Sequence, residues 1–582
     1  MTHFNFKNWN TILGWLAFTV ALITYALTIE PTVSFWDAGE YILTSSKLQV
    51  GHPPGAPLFQ LLGAFFSLFA LEPAQIGALL NLMSAVSSAF TILFMFWTIS
   101  ILLRKLAVAA QPNKESFDNH REVDLSKNQY IGILGGALVG SLAFTFTDSF
   151  WFNAVETEVY AMATLIMAVL FYLGLRWERD MNKPRGHKWL ILIAFVIGLS
   201  FGVHFMGLLT IPALGLIYFF KNYKRVTVKN FIIANVVSAA ILLFIFKLLL
   251  PNALLLFSAA EIFFVNSIGL PFNSGSIIAG VALILVFYFG LRYTRDKNYK
   301  YANTLILCLI FIFIGFSSWI MLPIRANANV IINENNPSSA RELLAYYNLE
   351  QYPETHLFYG PLFTDQYSGL DENNPYIDDK PKYEKDEESG KYIIVNEWKS
   401  AKQNYNSEHA SVLPRMWSVE HAENYMMFAG LLDFKLKPEY QMENELRNLV
   451  NQFKSEVAKG NVDYEGYHGF LKNYGRDFLD IEKPSFGDNL YYMLDYQFGY
   501  MYWRYFMWNF TGRQDDIQGK YDDLHGNWIS GIDFIDKWHL GMSQDNLPSD
   551  VENNKARNTY YFLPLILGLV GFLFLMGRDP KL

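Results

Sequence analysis

Cysteine is nearly missing: the 582-residue chain has one, Cys308, inside an apolar run, so no intrachain disulfide braces any part of it, whatever the redox compartment. Charge is scarce as well. Only 17% of residues are Asp, Glu, Lys or Arg, the net charge is −8 and no basic block occurs, which excludes a nucleic-acid partner, whose phosphates need clustered Lys and Arg. A small-residue cleavage site is missing after the first apolar run, where Glu30-Pro31 stands, so that run reads as an uncleaved span rather than a signal peptide. No convincing internal repeat is visible.

What is present in quantity is apolar side chain, 52% of the total, and it is concentrated. The runs Thr11 to Ile29, Gly77 to Leu103, Phe231 to Leu250 and Tyr301 to Leu322 each approach or exceed the roughly 20 residues that span a hydrocarbon core. A long polar, aromatic-rich stretch between Arg325 and Asn558 separates them from a last apolar run, Tyr560 to Met576. The chain therefore reads as a mainly α, polytopic membrane protein with a large polar domain before its last span.

Short connections rich in Lys and Arg, at Arg176 to Lys188, Lys221 to Lys229 and Arg292 to Lys300, belong in the cytoplasm. Trp189 to Phe220 must then cross and return, turning near Gly202-Val203-His204. The same count keeps Arg104 to Asn128 inside and puts the loops Glu30 to Ala56, Asp148 to Glu158 and Pro251 to Gly275 outside, with the region after Arg325. Pro57 to Leu71 is short for a crossing and reads as a helix at the outer interface. Tyr560 to Met576 returns to the cytoplasm, for about ten spans in all. Residues 1–324 form a transmembrane module with outer loops, 325–558 an extracytoplasmic domain, and 559–582 the last span and a short tail.

Under this topology Asp37, Glu40, His52, Asp148, Glu156, Glu158, His204 and Arg325 fall near the outer ends of different spans. Ionisable groups at membrane depth are costly to desolvate, so a set converging from separate helices marks a candidate site, although single charges at wet helix ends are ordinary. Ser34-Phe35-Trp36-Asp37-Ala38-Gly39-Glu40-Tyr41 puts two carboxylates just after the first span, one of them a candidate general base. The plainer reading is an N-cap and a surface Glu. Gly51-His52-Pro53-Pro54-Gly55-Ala56-Pro57 opposes helix and must be a shaped turn, in which His52 either meets a phosphate or sugar hydroxyl or holds the turn.

Asp148, Glu156 and Glu158 offer oxygens to a divalent cation, Mg²⁺ or Mn²⁺, at a spacing that matches no standard metal motif. His204, a lone polar side chain in an apolar stretch, reads first as a satisfied helix-end histidine. Arg325 suits a lipid phosphate or an ordinary interfacial anchor. The dense rings of Tyr502 to Gln514 suit sugar or peptide recognition, or core packing.

Taken together, Phe35-Trp36-Asp37-Ala38-Gly39-Glu40-Tyr41, His52-Pro53-Pro54-Gly55, Glu158-Val159-Tyr160, Gly202-Val203-His204 and Arg504-Tyr505-Phe506-Met507-Trp508-Asn509-Phe510 resemble a family of largely bacterial membrane proteins. That family is similar to a vertebrate transmembrane protein O-mannosyltransferase (glycosyltransferase family 117). The likeness covers most of the chain and is specific in the first loop. More distantly, an acidic first loop followed by His-Pro-Pro resembles the GT-C glycosyltransferases that use polyprenyl-phosphate sugars.

The resemblance implies a GT-C-like fold and transfer of mannose or another hexose from a polyprenyl-phosphate donor to Ser or Thr of exported proteins, at the outer face of the membrane. By it Asp37 is the general base and Glu40 a supporting acid. Trp36, Tyr41, His52, Glu158, Tyr160, His204 and Arg325 are donor- or substrate-binding candidates. The protein O-mannosyltransferases place their two acids side by side, whereas here Ala38 and Gly39 intervene. The implied location is a bacterial inner membrane with the site facing the periplasm, or the endoplasmic reticulum lumen in a eukaryotic cell. The implied partners are the donor, an exported acceptor protein and membrane lipid. Two other classes compete: a transporter, whose ionisable residues belong at the midplane of repeated halves, and a non-catalytic subunit of an envelope complex.

Overall fold

The apolar runs become helices, because a backbone in hydrocarbon must satisfy its own N–H and C=O groups. The computed structural model describes residues 5–109, 125–223, 225–352, 354–371 and 373–581. The first helices are α1 (Phe6–Leu27), α2 (Ala38–Lys47), α3 (Pro57–Ser67), α4 (Ile76–Ala109), α5 (Lys127–Thr145), α6 (Asp148–Ala154), α7 (Val159–Asp180), α8 (His187–Ser200) and α9 (Ile211–Asn222). They are followed by α10 (Val228–Leu243), α11 (Leu250–Ile262), α12 (Ser274–Asp296), α13 (Lys300–Phe316), α14 (Met321–Asn327) and α15 (Ala340–Tyr347). Local chemistry sets the starts. Asn5 accepts the Asn8 N–H at α1, and capping boxes of Ser126 with Gln129 and Thr227 with Asn230 open α5 and α10.

Among the described residues seven helical stretches are long and apolar enough to cross a membrane, or eight if α5 and α6, bent by 68°, form one span. α3, α8 and the helix Leu563–Arg578 are apolar but shorter. The chain is a mainly α, polytopic membrane protein. α8 and α13 pack closely where Gly198 meets Ile312 O and Gly315 meets Phe195 O, since a methyl group at either glycine would overlap the facing carbonyl.

The outer loop expected at Pro251 to Gly275 is mostly helix. Val228–Ser267 runs as one 40-residue stretch through π turns at Phe244–Leu249 and Phe263–Ser267. A proline inside a helix removes a donor and crowds the carbonyl four residues back; the π turn just before Pro251 widens the ladder there and relieves both. The real turn is short, Ile268 to Asn273, and the buried Glu261 holds it by accepting the Asn273 and Ser276 N–H groups at 2.5 and 2.7 Å. The expected cytoplasmic connection Arg104 to Asn128 falls largely on residues 110–124, outside the described residues.

The chain divides into two units, Met1–Tyr352 with Leu565–Leu582, and Pro353–Pro564. The boundary lies at Tyr352 rather than Arg325 because α15 belongs to the helical core: Tyr346 and Tyr347 are buried, and the Tyr347 hydroxyl donates to Phe246 O at 2.8 Å. The second unit has an aromatic core of Phe363, Tyr367, Tyr425, Phe434, Tyr467 and Phe470 and, among its described residues, five two-stranded antiparallel sheets. Its Arg504 is buried among Tyr500, Tyr505 and Trp508 and donates to Gly526 O at 2.8 Å, so this part of the aromatic segment is core.

Candidate active site

α2 carries the first-loop acids. Asp37 stands at its N-terminal boundary with helical backbone angles and makes no side-chain capping hydrogen bond, so the N-cap reading does not account for it. Glu40, one turn on, accepts twice from His52: the backbone N–H at 2.6 Å and Nδ1–H at 2.9 Å. His52 Nε2 then lies 3.9 Å from Asp37 Oδ2, which places one imidazole between two carboxylates. The Glu40 hydrogen bond raises the His52 pKa against the opposing effect of burial. Burial would raise Glu40, but the hydrogen bonds from His52 outweigh it and hold the carboxyl below its ordinary value.

The turn is shaped to make this pair. Gly51 approaches so closely that a Cβ would lie 2.7 Å from Glu40 Oε1. The buried Tyr346 hydroxyl donates to Gly51 O at 2.5 Å, with His52 O at 3.2 Å, and Gly55, at φ +66°, lets the chain pass beneath that same ring. The Leu58 and Phe59 N–H groups at the start of α3 donate to Gly202 O, tying the turn to Gly202-Val203-His204.

The other candidates arrive from α7 and the turn before α9. Glu158 precedes α7 and accepts the Val159 N–H at 3.3 Å; burial first, then the Asp37 charge, push its carboxyl up to about 7. Burial likewise raises Glu156. The Tyr41 ring packs on His52 and Phe59, with centroids 5.7 and 5.4 Å away. Burial and the charges of Glu158, Asp37 and Glu40 raise the Tyr41 hydroxyl, which keeps it a donor. Tyr160 packs 5.4 Å from His204. His204 Nδ1 accepts the Met206 N–H at 3.1 Å, so the neutral ring, favoured by burial, carries its proton on Nε2. Seven candidates from four stretches of chain thus share one neighbourhood: Asp37, Glu40, Tyr41, His52, Glu158, Tyr160 and His204.

Four other candidates, Arg325, Asp148, Glu156 and Trp36, stand apart. Arg325 donates to Leu48 O at 2.5 Å and Lys47 O at 3.2 Å, clamping the C-terminal end of α2, about 15 Å of helix away from Asp37. Asp148 begins α6, whereas Glu156 and Glu158 follow its end. No three acidic, His or Cys side chains among the described residues gather closely enough to hold a metal ion, so the Asp148, Glu156 and Glu158 set expected from the sequence does not assemble. Trp36 is 84% exposed in the left-handed region at φ 63°, a strained state for a bulky residue. It lines an open recess of about 420 Å³ with Ile29, Glu30, Ser34, Phe152 and Glu156.

Sequence reasoning missed Asn81. Fully buried in α4, it donates to Glu30 O at 2.6 Å and Thr32 O at 3.1 Å and accepts from the Thr157 hydroxyl at 2.5 Å, knitting the loop between α1 and α2 to the one between α6 and α7. Gly77 lets α4 approach, since a Cβ there would lie 2.6 Å from Thr32 O. The signal was available: an amide inside the apolar run Gly77 to Leu103 needs partners.

Acids, imidazoles and two phenols gathered at the ends of membrane helices define a polytopic membrane protein with a built polar site. The comparisons with known proteins narrow the class. Residues 37–227 match the family model described as the protein O-mannosyl-transferase TMEM260 N-terminal domain, a stretch that begins at Asp37 and contains every residue of the cluster. Residues 353–494 match a family of unknown function, DUF8416. The chain is similar to the protein O-mannosyl-transferase tmem260 of Dictyostelium discoideum, 27% identical over 165 residues, which are 28% of this chain and 17% of that one. It is also similar to the protein O-mannosyl-transferase TMEM260 of Mus musculus, 24% identical over 184 residues, 31% of this chain and 22% of that one. The matched stretch thus spans about a fifth of these curated relatives, and no solved structure matches the chain. In this stretch the chain resembles the protein O-mannosyltransferases.

Proposed function

We propose that the protein is a membrane glycosyltransferase that moves a hexose, mannose by the resemblance, from a polyprenyl-phosphate donor to Ser or Thr of exported proteins on the non-cytoplasmic face. The observation that carries this reading is the Asp37–His52–Glu40 arrangement at the start of the matched stretch. Asp37 is free of a capping bond, and its carboxylate is open to an incoming hydroxyl. In the reaction the acceptor oxygen attacks the anomeric carbon, its proton passes to Asp37, the bond from that carbon to the phosphate oxygen breaks, and polyprenyl phosphate leaves with inversion.

His52, held by Glu40 and favoured in its charged form, faces the developing phosphate charge through Nε2–H. Glu158, protonated in part near neutral pH, the Tyr41 hydroxyl and His204 Nε2–H are donors for the sugar and phosphate oxygens. A site facing away from the cytosol has no supply of nucleotide sugars, which favours a lipid-linked donor. The two shorter apolar helices α8 and Leu563–Arg578, counted as crossings, bring eight spans to about ten and place the last span after the polar unit.

The test is glycopeptide mass spectrometry of exported proteins from cells carrying the wild type or Asp37→Asn at equal membrane levels. Loss of hexose on Ser and Thr with the variant is expected. Unchanged glycopeptides would sink the proposal and favour an envelope-complex subunit.

A further inference from the structure

We propose that the helix Asp533–Leu540 is a membrane foot, whose Phe534 and Trp538 seat in the headgroup region of a lipid bilayer beside the root of the helix Leu563–Arg578. The two rings are 73% and 83% exposed and four residues apart, hence on one face. Large rings so fully exposed together are uncommon on a surface that meets only water.

The helix is fixed in place. The buried Asp536 carboxylate accepts the Ser530 N–H and hydroxyl, both at 2.7 Å, and the Gly531 N–H at 2.8 Å, which locks the helix to the segment before it. That segment is bound in turn to the chain entering Leu563–Arg578. The Tyr561 N–H donates to Ser530 O at 3.0 Å, and a Cβ on Gly531 would lie 2.8 Å from Thr559 Cβ. The Trp528 ring stacks on His539 at 3.9 Å and meets Phe562 at 6.0 Å. The helix Asp533–Leu540 is therefore tied to the segment Thr559 to Phe562, which leads directly into Leu563–Arg578.

The occupant follows from the second helix. Leu563–Arg578 has 16 residues with no charged side chain before Arg578, and its apolar side chains are uncovered, Leu567 and Leu573 at 68% and 67%. In a polytopic membrane protein the cover for such a helix is lipid, so its root lies at the boundary between water and hydrocarbon. That depth is where Trp is favoured, and Lys537, between the two rings in sequence, has the reach to put its ammonium among lipid phosphates.

The experiment uses the full chain with Cys308→Ser, a nitroxide attached at Phe534→Cys, Trp538→Cys or Glu388→Cys, and vesicles of phosphatidylethanolamine and phosphatidylglycerol. Glu388, in the exposed turn between Lys382–Asp386 and Lys391–Asn396, is the solvated reference. Collisions with oxygen relative to a water-soluble nickel chelate should be several-fold higher at 534 and 538 than at 388. Nickel access at 538 equal to that at 388 overturns the proposal. So does shielding from both reagents, which would mean that a protein surface or a second copy covers the rings.

Discussion

His52 links two carboxylates that do different work. Glu40 is committed to it by two hydrogen bonds, while the Asp37 carboxylate stays largely exposed. Glu158 is another side chain whose protonation the fold controls. With a carboxyl at about 7 when folded and an ordinary value of 4.5 when unfolded, the folded state keeps a proton that the unfolded state has lost. Fewer protons on the unfolded chain make stability fall as pH rises through that window, by on the order of 3 kcal/mol at full effect. Melting temperature of the purified protein, measured from about pH 5 to about pH 8, should fall less for Glu158→Gln than for the wild type; parallel curves would refute the assignment. The adjacency of Asp37, Glu40 and the His52 turn was legible in the sequence, because titratable groups beside helix-breaking residues announce a shaped loop. Which acid takes the histidine was not legible, since it depends on how closely Gly51 approaches and on Tyr346, nearly 300 residues away. Arg325 was equally opaque, because a guanidinium at the end of a span looks the same whether it meets a phosphate or a helix's last carbonyls.

The loops that carry the candidate site owe their placement to the helices beside them. Asn81 is the clearest case: one amide in α4 satisfies three partners on two loops. Asn81→Ala should lower stability by on the order of 2–3 kcal/mol, since two carbonyls and a hydroxyl lose their partner together. Thermal unfolding in detergent reads this, and a melting temperature within error of the wild type would show that water replaces the amide. Helix type and rough position were readable from the apolar runs, as was the break at Gly202-Val203-His204, which separates α8 from α9. The passage of helix through Pro251 was not. A proline ends a helix unless the ladder is already widened, and π turns leave no composition signal.

At the scale of the molecule, the proposed orientation rests on the basic connections. In intact cells and a Cys308→Ser background, Pro271→Cys in the turn before α12 should react with a membrane-impermeant maleimide, and Asn298→Cys between α12 and α13 only after permeabilisation. Labelling of both from one side would overturn the topology. The 40-residue stretch Val228–Ser267 is about 60 Å long, twice a hydrocarbon core, and tilt or projection must accommodate the excess.

The polar unit Pro353–Pro564 interrupts the helical one, which resumes at Leu565. This order has a consequence during synthesis. A ribosome working at about 5–20 residues per second needs roughly 10–40 s to make that insertion. Asp37, Glu40, His52, Glu158, His204 and the supporting Asn81 and Tyr346 are all made before it. This polar neighbourhood can therefore assemble while Leu563–Arg578 has yet to be translated, and the nascent helices must hold together through that interval without it.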